Sequence, residues 1–89
     1  MKYEHFLKYA VVDLEATGAH AAAEIIQVGI VIIENNQITK TYQTDVNPHE
    51  PLSEHIIQLT GITDDQLAKA PDFSQVAGEI YDLIADCVF

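Results

Sequence analysis

The stretch Glu24-Ile-Ile-Gln-Val-Gly-Ile-Val-Ile-Ile-Glu34 is dominated by β-branched residues and stops at Asn35-Asn36. That composition reads as a strand, and Asn-Asn is a good two-residue hairpin connection. Beyond the turn, Gln37 to Val46 alternates polar and apolar positions, with Ile38, Lys40, Tyr42, Thr44 and Val46 in one register. The middle of the chain is thus committed to antiparallel pairing. Upstream, Tyr9 to Glu15 reads as a further strand, its Val11-Val12 pair buried on both faces. Together the three runs predict an antiparallel meander. Asn47-Pro48 to Pro51 is a loop, because two closely spaced prolines exclude regular structure.

The pattern then becomes helical. Ser53 is an N-cap for a short helix ending at Gly61. Thr63-Asp-Asp-Gln66 has the form of a capping box and opens a second short helix, which stops at Ala70-Pro71. Asp72 to Asp86 is the longest helix. Phe73, Val76, Ala77, Ile80, Leu83, Ile84 and Cys87 recur at helical spacing and form one apolar face. Cys87-Val88-Phe89 looks like the opening of a fourth strand. Residues 1–8 read as a loose lead-in and residues 9–89 as the N-terminal part of one incomplete domain. The break in mid-pattern reads as a fragment.

The 89 residues allow one small domain, and 48% apolar content is in the globular range. A chain of this size buries about 60–65% of its unfolded surface. Fourteen acidic residues against four basic ones give a formal charge of −10. Phosphate contacts need Lys and Arg, so non-specific nucleic-acid binding through this surface is disfavoured. Any nucleic-acid chemistry must come through bound metal, helix N-termini or a basic partner. Cys87 is the only cysteine, which excludes an intramolecular disulfide and a cysteine zinc cluster. No secretory h-region is present, and the longest apolar stretch, Ile25 to Ile33, is far short of the roughly 20 residues that span a bilayer. These features predict a soluble, cytoplasmic protein with no membrane partner.

Tyr9-Ala-Val-Val-Asp13-Leu-Glu15-Ala-Thr17-Gly18 carries the chemistry. Residues i and i+2 of a strand point to one face, roughly 6.5 Å apart. Asp13 and Glu15 therefore converge, while Leu14 points the other way into a core. Hard oxygen ligands of this kind suit Mg²⁺ or Mn²⁺. Strand ends also carry solvated acids, so the pair alone does not decide.

The chain closely resembles the DnaQ-like (DEDD) 3′–5′ exonucleases. Among these it is nearest to the polymerase III epsilon-type domain, in the version fused ahead of DinG-type helicases. The resemblance is carried by Val11-Val-Asp13-Leu-Glu15-Ala-Thr17-Gly18, Ile25-Ile-Gln27-Val-Gly29, Asn47-Pro48, Leu59-Thr60-Gly61-Ile62-Thr63 and Ala70-Pro71-Asp-Phe73, continuing to Cys87-Val-Phe89. It covers almost everything from Tyr9 onward. It implies an α/β, ribonuclease H-like fold in truncated form: the three-stranded meander, helices, and the start of a fourth strand.

The resemblance also implies a function. The parent protein would be a metal-dependent exonuclease of DNA repair or replication. It would release nucleoside 5′-monophosphates from single-stranded DNA 3′ ends, with a C-terminal helicase or polymerase partner. Two Mg²⁺ or Mn²⁺ ions about 3.5–4 Å apart clamp the phosphodiester in such enzymes. Asp13 looks like the carboxylate bridging both ions and Glu15 like a ligand of one. Thr17 and Gly18 sit where the family approaches the terminal nucleotide, and Gly18 also permits an unusual turn conformation. Thr60 and Ile62 lie in the loop near the terminal base and sugar, with Ile62 a candidate wedge. The alternative is that Gly61 is a helix C-cap with Ile62 an ordinary hydrophobic contact behind it. His55 either approaches substrate or lies on the helix surface. His20 is near the acids in sequence; it is either a metal contact or part of a solvated turn.

The family uses four acids and a general base, and only the first two acids fall in this sequence. The metal site is therefore incomplete, and the chain alone is expected to be inactive. A second reading is a non-catalytic interaction or nucleic-acid-binding module that uses half of the fold. It would self-associate or dock through an open apolar face on the last helix. A third is a metal- or nucleotide-binding fold with no nucleic-acid role.

Overall fold

The computed structural model of the chain describes residues 7–18 and 20–88. Three strands, β1 (Lys8–Ala16), β2 (Ile25–Glu34) and β3 (Gln37–Asp45), precede three helices, α1 (Glu54–Thr60), α2 (Asp64–Ala68) and α3 (Phe73–Ile84). The sheet is an antiparallel meander in the order β1-β2-β3. The lead-in therefore ends earlier than the sequence suggests, because Lys8 already pairs with Glu34; residues 1–6 lie outside the described part.

Asn35 and Asn36 both adopt positive φ, 52° and 63°. Two successive left-handed residues match the right-handed twist of the flanking strands, as a type I′ hairpin requires. The ladder then shifts. Ile33 is opposite Ile38, but Ile32 is opposite Lys40, so Thr39 is an extra residue on β3. Such a bulge reverses which face the following side chains occupy. Ile38 thereby stands on the opposite face from Tyr42 and is 66% exposed. The uniform alternation read from Ile38 to Val46 is broken at this point.

One face of β2 supplies Ile26, Val28, Ile30 and Ile32, each at most 2% exposed. Val28, Ile30 and Ile32 join Ala10, Val46 and Val76 in the main core, against which Ile80, Leu83, Ile84 and Cys87 pack. The α3 stripe is thus spent on the sheet and is not an open docking face; only Phe73, at 43% exposure, escapes it. Ile26 belongs to a second cluster with Leu52, Ile56, Ile62 and Leu67, which seats α1 and α2.

β1 differs from its sequence reading. Val11, Val12 and Leu14 are 55, 40 and 50% exposed. Leu14 does stand opposite Val28, on the face that carries the core. However, α3 covers that sheet over β2 and Ala10, and none of the described residues reaches across the distal half of β1. At the outer edge of β1, Val88 makes a parallel bridge to Tyr9. Its N–H donates to the Lys8 carbonyl at 2.7 Å, and its carbonyl accepts from the Ala10 N–H at 3.0 Å. The fourth-strand pairing read at Cys87-Val88 is therefore present; Phe89 lies outside the described residues.

The helix ends follow local chemistry. Ser53 Oγ accepts from the Ile56 N–H at 3.3 Å, and Gly61 closes α1 at φ 75°. That left-handed C-cap is where glycine is favoured. α2 and α3 stop at Ala68 and Ile84, short of Ala70 and Asp86. No described helix is long and apolar enough to cross a membrane.

Candidate active site

Asp13 and Glu15 leave β1 on one face, as their spacing requires. Asp13 is exposed and Glu15 half-buried. Their cross-strand neighbours define two rows. Asp13 faces Gly29, which faces Gln43, and Glu15 faces Gln27, which faces Asp45. This face is opposite to the one that packs on α3. At its centre lies a shallow hollow of about 440 Å³, whose lining includes Val11, Asp13, Gly29, Thr41 and Gln43. Gly29 contributes no side chain, so the floor beside Asp13 is backbone.

The turn after β1 is held by Thr17. Its backbone N–H donates to the Glu24 carbonyl at 2.8 Å, and its hydroxyl accepts from the Glu24 N–H at 2.9 Å. Thr17 therefore clamps the far end of the loop back to the start of β2, next to Glu15. Gly18 is not in the left-handed region, contrary to the turn conformation read for it. Its small size is used instead by the His20 ring, two atoms of which lie 2.9 Å from where a Cβ would stand. His20 is exposed against that turn.

The second segment divides. The Thr60 hydroxyl donates to the Ile56 carbonyl at 2.8 Å and accepts from the Ile62 N–H at 3.1 Å, closing the end of α1 on itself. Ile62 is 5% exposed within the second core cluster. His55 is exposed on α1. Asp13 and Glu15 are thus brought together with Thr17, whereas Ile62 is packed inward.

Asp45 and Gln27 were given no role by sequence reasoning. Gln27 Nε2 donates to Asp45 Oδ1 at 3.0 Å, and Gln66 Nε2 donates to Asp45 Oδ2 at 2.9 Å. Gln66 is the residue that a capping box would have turned back toward Thr63. The Thr63 hydroxyl still accepts from the Gln66 N–H at 3.2 Å, but the Gln66 amide goes to the sheet. Counting outward from Asn35-Asn36 without the Thr39 bulge would have set Gln27 opposite Thr44. No local signal places Asp45 in this row.

Other chemistry-bearing groups stand apart. His49 pairs with Asp72 at the start of α3 and is exposed. Burial pushes the Cys87 thiol up, with the negative charge of Asp86 adding to it, so Cys87 is no ready nucleophile. Among the described residues, no three His, Cys, Asp or Glu side chains converge as a metal cluster. The donor set is therefore two carboxylates on an open face. Hard oxygen donors of this number fit a cation that keeps most of its water, as Mg²⁺ does.

Known proteins share this fold. A 3′–5′ exonuclease DinG of Staphylococcus aureus (strain USA300) is 48% identical over 82 residues, which cover 91% of this chain and 9% of that protein. The chain therefore spans a small part of the curated relatives it matches. Among solved structures, the nuclease domain of 3′hExo, a DEDDh family member bound to rAMP, superposes with a TM-score of 0.75 at 32% identity. That match covers 88% of this chain and 44% of the other. A full-length 3′-exonuclease gives 0.76 at 33% identity, covering 88% and 29%. DEDDh exonucleases generally use divalent metal ions. The exonuclease family model of RNase T type matches residues 10–89, and the chain belongs to that family.

Proposed function

We propose that residues 9–89 are the N-terminal part of a metal-dependent 3′–5′ exonuclease domain, in a protein acting on single-stranded DNA 3′ ends. The observation that carries this is the pair Asp13 and Glu15 on one open face of β1, within a chain of the exonuclease family. Asp13 and Glu15 would hold Mg²⁺ or Mn²⁺, Asp13 bridging two ions and Glu15 binding one. When bound, such ions supply an activated water and stabilise charge on the scissile phosphate. The chain's own part is to hold two carboxylates on a stiff strand, so that little ordering remains when the cation arrives.

Thr17 and Gly18 are the substrate-facing residues next to this pair. Thr17 fixes the turn through Glu24, and the hollow over Gly29 gives a nucleotide room beside Asp13. Thr60 and His55 would act at a second contact, with Ile62 supporting that loop from the core. The products would be nucleoside 5′-monophosphates, and the parent would work in the cytoplasm in DNA repair or replication, with a helicase or polymerase partner. The name of the Staphylococcus aureus relative supports that direction. Two carboxylates, with no general base positioned among the described residues, would leave this chain alone inactive.

The test is Mn²⁺ binding by calorimetry beside Asp13→Ala. Saturable binding lost in the variant supports the reading; no binding by the folded wild-type chain overturns it at the metal. Metal-dependent 3′-end digestion by the chain alone, lost on Asp13→Ala, would overturn the inactivity. A second reading, a non-catalytic binding module, draws on the exposed Val11, Val12 and Leu14 of β1. It is favoured if the chain captures a partner at unchanged strength after Asp13→Ala.

A further inference from the structure

Asp45 is a third carboxylate on the face of Asp13 and Glu15, in the row of Glu15, and both of its oxygens are engaged. A carboxylate accepts and never donates in its ionised form, so the two amides that meet it must present nitrogen. The orientation of Gln27 follows from that chemistry. Its Nε2 is held on the β3 side of the row by Asp45, and Gln66 of α2 steadies the other oxygen. Gln27 stands directly between Asp45 and Glu15 across the ladder. Its Oε1 takes no donor among the described residues, and Glu15 receives no hydrogen bond from it.

An amide between two carboxylates has a choice, since it could donate to either. Donation to Glu15 would occupy a lone pair on a carboxylate that must otherwise be free. We propose that Asp45 is a positioning residue for Glu15. By holding the Gln27 nitrogen on the β3 side, it keeps the Glu15 carboxylate unencumbered and open to a divalent cation. This rests on the reading of Asp13 and Glu15 as cation ligands. Two features support it independently of that reading. Gln66 forgoes the reciprocal half of a capping box to reach Asp45. The Thr39 bulge also shifts β3 by one residue, which brings Asp45 rather than Thr44 opposite Gln27.

Without Asp45, the only carboxylate left beside Gln27 in the row is that of Glu15. The amide then turns over and donates there. Asp45→Asn keeps one oxygen for Gln27 and turns its nitrogen to Gln66, whose exposed amide flips to accept, so it removes the charge but preserves the orientation of Gln27.

The experiment uses the isotope-labelled chain and two readouts, side-chain amide NOEs and Mn²⁺ affinity. In the wild type, NOEs run from the Gln27 amide hydrogens to the Asp45 β-hydrogens and not to the Glu15 γ-hydrogens. In Asp45→Leu they move to Glu15, and Mn²⁺ affinity falls about tenfold, the effect of one competing hydrogen bond. Adding Gln27→Met, which has no donor, restores the affinity, and Asp45→Asn keeps both wild-type patterns. Wild-type NOEs from Gln27 to Glu15 overturn the proposal, without need of any variant that fails to fold. An affinity loss that persists in the Asp45→Leu/Gln27→Met double variant, or that Asp45→Asn reproduces in full, also overturns it, because charge would then be the cause. A wild-type chain that binds no Mn²⁺ while showing the predicted NOEs overturns the cation reading and not the orientation of Gln27.

Discussion

Asp13 and Gly29 stand opposite each other across the β1–β2 ladder, so the first carboxylate borders the position in its row that has no side chain. A Cβ at Gly29 would meet the Asp13 carbonyl at 3.8 Å, an ordinary contact. The backbone there is not in the left-handed region. Space over the sheet, and not relief of strain, is what glycine provides here. Gly29→Val should keep the fold and fill the hollow. Under the proposed function, 3′-end digestion by the whole protein should fall about tenfold in kcat/KM, a loss near 1.4 kcal/mol of transition-state stabilisation. The check is steady-state digestion of an oligonucleotide beside a thermal melt.

Ile62 separates core from contact. Its side chain packs with Ile26, Leu52, Ile56 and Leu67. Ile62→Ala should cost about 2–5 kcal/mol and Ile62→Val about 0.5–1.5 kcal/mol. Urea unfolding followed by circular dichroism reads both. A change near zero for the alanine variant would show that Ile62 works outside the core.

Gly78 lies within α3 and is exposed, with nothing within 4 Å of where a Cβ would stand. No close packing contact requires glycine there. Gly78→Ala should therefore stabilise the chain by about 1 kcal/mol, the helix-propensity difference between the two residues. The urea midpoint should rise while the dependence on urea stays the same.

Tyr42 links stability to alkaline pH. Burial pushes its phenol above the ordinary value of 10.0, and the negative charge of Glu79 adds to the shift. The folded chain thus holds the phenolic proton more tightly than the unfolded chain. That contribution is complete below pH 10 and is lost as pH rises through the folded value. Tyr42→Phe should flatten the stability profile above pH 10, measured by urea midpoints at stepped pH.

Local chemistry made much of this fold legible. Asn35-Asn36, Ser53 and Gly61 act through their own backbones and neighbours, and each does in the structure what its residue type favours. The parity of Asp13 and Glu15 on one face follows from strand geometry alone. Burial was less legible, because it depends on what covers a strand from elsewhere. Val11-Val12 has the composition of a buried strand, yet only Ala10 of β1 reaches the core. The bulge at Thr39 is the other gap. Nothing in Ile38-Thr39-Lys40 announces it, but it decides which β3 side chains share a face with the acids. Asp45 was invisible for that reason, and Gln66 because its residue pattern pointed to a cap.

The outer edge of β1 has a colloidal consequence. Among the described residues, Val88 pairs with it only at Lys8 to Ala10, and none pairs with it at Val12 and Leu14, whose side chains are apolar and exposed. An unpaired edge is a template for another strand, which docks about 4.8 Å away. The formal charge of −10 opposes such an encounter between copies. That repulsion reaches about 30 Å at 0.01 M salt but only about 10 Å at 0.1 M. Dispersion of the chain is therefore governed by ionic strength: light scattering should show single molecules in dilute buffer and growing particles as salt is added.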